Sequence, residues 1–541
     1  MTSDLSVPRD DAQADAATGV WSRMDLYLER AGEWLNPILV KESRQALKSK
    51  QFTITFALLL LCGWGWSFLG TMVGGRAVEI VYGYYWVLAI PLLVIVPFSA
   101  YRSLAAERED GTYELLSITG LNSRQIVTGK LGSAILQMLV YYSALSPCIA
   151  FTYLLRGVSI LSVLLILFYT FVLSLSASAV GLFAATLTKH RNWQVLISVV
   201  YLCALLLVGW IWSEELVWDL LRYESIRFDN PETWVANLAI VSGFGAGILM
   251  TIVAAAANIT FASDNRATRL RIVMLLHQGL YVGWMIYWYV KEQHGEWLLV
   301  MSCFGAAYWT LTGALMTGET AELSPRVKRS LPQSLLARML FTWFNPGAGT
   351  GYVFAVINLG VLLAVGVIAG TVGKTLGRSM GYFADHYAWF SLFLWMYIAA
   401  YLGVGRIIIA ALRRFLHFGL LLPVLIHIML IVLGVAIPMI IHGWYYGFEF
   451  YERDYSLLHA MNWAFSLGII MDEGVEIYPF TFGVIAIGSV LIFVVNYFLA
   501  IRDVEQVRLA TPQRVQEDDR EIHPERFLEP RKPKSPWDED D

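Results

Sequence analysis

Charge is scarce in this chain. Only 15% of its 541 residues are Asp, Glu, Lys or Arg, against about a quarter in a soluble domain. With 57% hydrophobic residues and a mean hydropathy of +0.56, the chain cannot cover its apolar surface with charge in water, and lipid is the better solvent. The charges nearly cancel, at a net −4. That excludes a global basic field and, with it, a nucleic-acid partner. Cysteine is equally sparse. Cys62, Cys148, Cys203 and Cys303 all fall inside apolar runs, and none forms a CxxC. A disulfide framework and a zinc site are therefore excluded. A nucleotide-binding loop is missing too. The stretch Gly370-Thr371-Val372-Gly373-Lys374-Thr375 ends in Gly-Lys-Thr, but a Walker loop needs glycine at 368, where this chain has Ile368. The first 50 residues are polar and charged, so no cleavable signal peptide opens the chain and the first span must itself serve as the insertion signal.

What the chain has in abundance is long apolar runs. A spanning helix needs about 20 mostly apolar residues. Runs of that kind lie near 52–73, 81–101, 132–155, 161–187, 193–213 and 235–261, then near 272–290, 297–317, 351–373, 386–405, 416–442 and 479–501. The expected fold class is an all-α polytopic membrane protein with about twelve transmembrane helices. Orientation follows from Lys and Arg in the loops. With the N-terminus in the cytoplasm, the internal cytoplasmic loops 102–131, 188–192, 262–271, 318–350 and 406–415 hold 16 Lys/Arg in 88 residues, and the outer loops hold 8 in 87. Both termini are then cytoplasmic, as expected for a multi-pass protein of the cell inner membrane. Trp64, Trp66, Tyr82, Tyr84, Tyr85 and Trp86 flank the first outer loop, where aromatic rings favour the headgroup level.

The organisation reads as a cytoplasmic N-terminal segment over 1–33, an amphipathic interfacial helix over 34–51, a six-span region over 52–261, a second membrane region of about six spans over 262–501, and a disordered cytoplasmic tail over 502–541. Asn36-Pro37 predicts a helix start, with Asn as cap and Pro at the first helical position. Beyond it Lys41, Arg44 and Lys48 share one helical face, and Leu39, Ser43, Ala46 and Leu47 the other. A basic amphipathic helix before a first span belongs on the inner leaflet surface. Trp34-Leu35-Asn36-Pro37 is echoed by Trp343-Phe344-Asn345-Pro346 ahead of the ninth span, a faint internal repeat.

The loop after the second span differs from the others. A charged helical extension carries Glu107, Arg108 and Glu109, and a break follows at Gly111. A short helix then exposes Glu114, Leu115 and Leu116, a turn comes at Gly120, and Ser123 is placed to cap the next helix. Two leucines exposed on a cytoplasmic loop call for a partner surface.

These residues resemble the segment between the second and third spans of ABC-2-type exporter permeases, whose pattern is roughly E-x-E-x-G-T-x-E-L-L, a turn, then I-x-x-G-K. Glu107, Glu109, Gly111, Thr112, Glu114, Leu115, Leu116, Ile126, Gly129 and Lys130 match it, with Gly120 in the turn. The upstream Asn36-Pro37-Ile38-Leu39-Val40-Lys41-Glu42 is similar to the helix that leads into such permeases. The resemblance covers about 34–261; the second six spans carry no such loop. It implies that the loop is a coupling helix docked on a separate ABC ATPase subunit. It also implies that the chain is not itself an enzyme and holds no cofactor, with ATP and Mg on the partner. Besides the ATPase, the lipid bilayer and a homodimer or heterodimer of permeases are the partners implied.

Two other classes stay open. A membrane-embedded transferase would need convergent carboxylates or histidines at a membrane face. Asp472-Glu473-Gly474-Val475-Glu476 with His459 in the last outer loop is its best candidate, and His427 lies mid-span. A non-transporting accessory membrane protein is the other class. The substrate is not named by the sequence.

Overall fold

The computed structural model describes residues 36–73, 77–111, 121–154, 159–188, 190–223, 228–261, 264–320, 342–377, 386–416, 418–446, 455–508 and 513–523. Every regular element among them is helical, and ten helices are long and apolar enough to cross a membrane. The protein is thus an all-α, multi-pass membrane protein. Counting apolar runs gives twelve spans. The two that fall away are the helices over Ser123–Leu154 and Ala267–Glu292. At 32 and 26 residues both are long enough. In the second, Arg271, His277 and Gln278 thin the apolar run.

The chain divides into two compact units, one ending at Ile259 and the other beginning at Thr260. The first unit opens with α1 (Pro37–Leu47) and α2 (Lys50–Val73). Helix α3 (Ala77–Ile90) and α4 (Val96–Glu109) are joined by a π turn over Pro91–Ile95. Pro97 has no N–H for an α-helical bond, and a widened turn accommodates that loss. Val96 N–H reaches back to Pro91 O. The carbonyl of Leu92, left over by the widening, accepts from Ser174 Oγ. Then follow α5 (Ser123–Leu154), α6 (Ile160–Ala185), α7 (Arg191–Ile211), a second π turn over Trp212–Val217, α8 (Trp218–Tyr223) and α9 (Pro231–Ile259). Tyr84, Leu88, Leu92, Leu104, Met138 and Leu182 form the buried core. Leu58, Leu61, Val200 and Leu207 point outward. Lipid is as apolar as leucine, so these outward residues do not drive packing. Cross-helix hydrogen bonds help to fix it: Tyr101 Oη donates to Gln194 O (2.9 Å) and Tyr142 Oη to Leu167 O (2.7 Å).

The second unit comprises α10 (Ala267–Glu292), α11 (Glu296–Met316), a 3-10 turn over Thr342–Phe344, α12 (Ala348–Thr375), α13 (Tyr387–Leu412), α14 (Leu421–Tyr446), a 3-10 turn over Leu457–Met461, α15 (Trp463–Asp472), α16 (Pro479–Arg508) and α17 (Gln513–Ile522). Helix α12 is the buried centre, with Tyr352, Val353, Ala355, Val356 and Leu359 fully enclosed. Residues 443–478 read as an outer loop, yet they contain α15, an apolar helix of 10 residues. Tyr401 Oη donates to Met461 O (2.5 Å), which puts the start of α15 against the middle of α13. Gly474, at φ +81°, ends α15 against His386, just before α13 begins. Helix α15 thus covers only half the length of its neighbour. Within 502–541, assigned above to a disordered tail, α16 continues to Arg508 and residues 513–522 are helical.

Candidate functional site

Lys130 lies in the second turn of α5, in the first unit, and is 2% exposed. Its Nζ donates to Glu42 Oε1 of α1 (3.0 Å) and to Ser103 O of α4 (3.2 Å), and lies 3.1 Å from Glu107 Oε2 of α4. Lys41, on the exposed rim, adds 3.7 Å to Glu107 Oε1. One ammonium thus joins three helices. A buried cation of this kind needs paired charge and satisfied donors, and it has both.

The local sequence explains why the three helices meet here. Asn36 Oδ1 accepts from Ile38 N (3.0 Å), capping α1, and Asn36 Nδ2 donates across to Gln125 O (2.5 Å). A methyl group on Gly129 would lie 2.7 Å from Ile38 Cβ, and one on Gly132 would lie 2.8 Å from Leu39 Cδ1. Glycine at these two positions lets α1 lie directly on α5, and Glu42 is thereby carried to Lys130. The buried residues of α1 are Ile38, Glu42 and Ser43, while Lys41, Arg44 and Lys48 are exposed. The expected basic face is where the sequence puts it. Leu47, assigned to the covered face, is 39% exposed, and a carboxylate lies on that face instead.

Of the motif residues, Glu107, Ile126, Gly129 and Lys130 come together at this junction. Glu109 is exposed at the end of α4. Gly111, at φ +67°, follows the helix in the left-handed conformation that stops it. Thr112, Glu114, Leu115, Leu116 and Gly120 lie outside the described residues. Segment 102–131 is largely helix rather than loop, since α4 runs to Glu109 and α5 begins at Ser123. The expected cap at Ser123 shifts by one residue. Ser123 is already the first helical position, and Gln125 Oε1 accepts from Asn122 N (3.0 Å), as the third residue of a capping box does. Two further ties were not singled out in the sequence. Arg108 Nη1 donates to Thr186 O (2.6 Å), and Thr186 Oγ1 accepts from Asn258 Nδ2 (3.0 Å). Beside Lys130 lies a cavity of about 230 Å³ whose walls include Gln45, Ser49, Ser99, Ser133 and Gln137. It is polar and roomy enough for several waters.

The second unit buries cations differently. Arg271 is fully buried. It donates to Glu319 Oε2 (2.7 Å), Trp343 O (2.5 Å) and Asn345 O (2.6 Å). Arg406 donates to Asn496 O (2.7 Å) and Asp503 Oδ2 (3.2 Å), and Asp503 Oδ2 also accepts from Gly349 N (2.7 Å). The Trp-x-Asn-Pro echo has two different uses: Asn36 works through its side chain as a cap, Asn345 through its carbonyl. The glycines of the Gly370–Thr375 stretch serve packing. Gly373 lies directly under the hydroxyl of Tyr289, with no room for a Cβ. His427 is buried, with Nδ1 2.7 Å from Pro423 O and Nε2 3.4 Å from Leu402 O. His459 Nε2 lies 3.3 Å from His442 Nδ1. Burial, and then the neighbouring His442, hold the His459 imidazole below its ordinary pKa. Among the described residues no three His, Cys, Asp or Glu side chains are placed to hold a metal ion.

No family model, curated protein or solved structure matches this chain.

Proposed function

We propose that this chain is the membrane-spanning permease subunit of an ATP-binding cassette exporter of the ABC-2 type, driven by ATP hydrolysis in a separate subunit. In this reading it has twelve spans, including α5 and α10, and lies in the cell inner membrane with both termini and segment 102–131 cytoplasmic. The observation that carries the reading is the Lys130 junction. Segment 112–120 joins α4 to α5 in the chain, so a partner that moves it acts on both helices. The Lys130–Glu107–Glu42 cluster ties α4 and α5 to each other and to α1. A force at the segment therefore reaches the membrane as movement of a linked three-helix body, which is what coupling to a cytoplasmic motor requires.

Leu115 and Leu116 are the assigned contact with the ATPase. Burying a leucine contributes roughly 1.5–3 kcal/mol at best, so losing both weakens docking about tenfold or far more. Leu115→Ala/Leu116→Ala should leave the chain membrane-inserted while its ATPase no longer co-purifies, or hydrolyses ATP without transport. A double variant that still binds its ATPase and transports normally would reduce the segment to a connector.

A further inference from the structure

The second unit contains a groove of about 760 Å³ walled by α11, α13, α14 and α15. It runs beside the short helix α15, whose Trp463, Leu467 and Met471 line it along the helix's length. Ten residues rise about 15 Å, half the hydrocarbon thickness of about 30 Å. Along α11 the groove runs from Leu299 to Ala314, about 22 Å at the helical rise.

Its chemistry is almost wholly apolar. The polar side chains in its wall are already engaged by backbone carbonyls: Thr310 Oγ1 with Ala306 O (2.7 Å), Tyr397 Oη with Ala460 O (2.8 Å), Tyr401 Oη with Met461 O, Trp463 Nε1 with Ile431 O (3.3 Å), and His427 as described. Apart from the Cys303 thiol, the donors in the wall are already committed, and only hydroxyl lone pairs are left to a polar ligand. Water would find few partners there. An empty groove would forfeit dispersion contacts along its length. Its rim residues Cys303, Leu311 and Ile428 are exposed and run on into the exposed apolar side chains Phe304, Met429 and Val432. The groove thus opens sideways, onto the lipid-facing surface.

Surroundings and length decide the occupant. The groove opens onto the surface that faces lipid, and an extended hydrocarbon chain, about 15 Å for one leaflet, fits within its length of about 22 Å. We infer that this groove is a binding site for a lipid acyl chain, held between α11, α14 and the half-length helix α15. The inference stands independently of the transport reading.

The test uses the full-length chain in phosphatidylcholine vesicles doped with a phospholipid that carries a diazirine in its acyl chain. After illumination, cross-linked peptides are mapped by mass spectrometry. Labelling should concentrate on groove residues of α11 and α15, above that at the lipid-facing Leu58 and Leu61 of α2. Ala307→Trp, at the exposed rim, should remove the groove labelling and leave α2 labelling intact; Gly468→Leu provides a second filling from the opposite wall. Groove labelling no denser than that of α2 in the unaltered chain would mean bulk lipid contact only and would overturn the inference. So would cross-linking between the Cys303 thiols of two copies accompanied by an unlabelled groove, which would make a second copy the occupant.

Discussion

Both units bury cations among apolar helices, but they hold them by different chemistry. Lys130 is a compact ammonium between two carboxylates and one carbonyl, beside a polar cavity. Arg271 and Arg406 are planar forks: Arg271 grips the Glu319 carboxylate and the carbonyls of Trp343 and Asn345, and Arg406 grips the Asp503 carboxylate and the Asn496 carbonyl, both on α16. A guanidinium fixes direction as well as charge, whereas an ammonium fixes charge alone. The first arrangement therefore suits a joint between helices that must shift together, and the second suits a staple. The difference also separates the unit that carries the proposed coupling motif from the unit that lacks it.

The sharpest way to break the comparison is Arg271→Met. It leaves two carbonyls unpaired and the Glu319 carboxylate with only the Gly347 N–H (3.2 Å) as partner, and removal of one partner of such a pair costs about 3–5 kcal/mol. Monodisperse protein in detergent should be largely lost, and Arg271→Met/Glu319→Gln should recover part of it. Lys130→Met should cost less, about 3 kcal/mol, at the low end of that range, because the neighbouring cavity, which Glu42 lines, lets water reach that carboxylate. Its melting temperature in detergent should fall modestly, while ATPase stimulation by the complex falls far more. Equal losses for the two variants would erase the distinction between joint and staple. Gly129→Ala keeps every charge and forces α1 away from α5, an overpacking cost of about 1–3 kcal/mol. A cysteine pair bridging α1 and α5 should then form more slowly than in the parent. The smallest effect is pH. The His459 imidazole is favoured in its neutral form by the fold, so its contribution is present above about pH 6.5, the ordinary value. It is lost as pH falls below that, because the unfolded chain binds the proton first. Thermal unfolding between pH 7 and 5 should show a decline that His459→Gln flattens.

Much of the architecture is legible in the sequence because lipid imposes a simple rule, a long apolar run for each crossing. The break at Gly111 and the start at Asn36-Pro37 are equally readable, since each rests on one residue's backbone preference. The rest depends on distance in the chain. Nothing local marks Glu42 as buried, because its partner Lys130 lies 88 residues on. Helix α15 escapes a search for 20-residue runs because it is half that length. Arg271 and Arg406 look like ordinary loop cations until their carboxylates are known, and the pattern that marks Lys130 does not show that it is buried. Ser123 looks like a cap because Ser and Asn share that preference, and the helix begins one residue early for it.

The placement of these buried cations also has a consequence for synthesis. Glu42 and Glu107 are already made when Lys130 leaves the ribosome, so the first unit's cluster can close at once. Arg271 precedes Glu319 by 48 residues, and Arg406 precedes Asp503 by 97. At about 5–20 residues per second, these two guanidiniums wait about 2–20 s without their carboxylates. In the topology proposed above, they are uncompensated positive charges during that interval, available to hold their segments on the cytoplasmic side while the translocon sets the orientation of the spans. In that topology the same side chains serve two successive tasks, first as topological signals in the nascent chain and later as internal ties in the finished bundle.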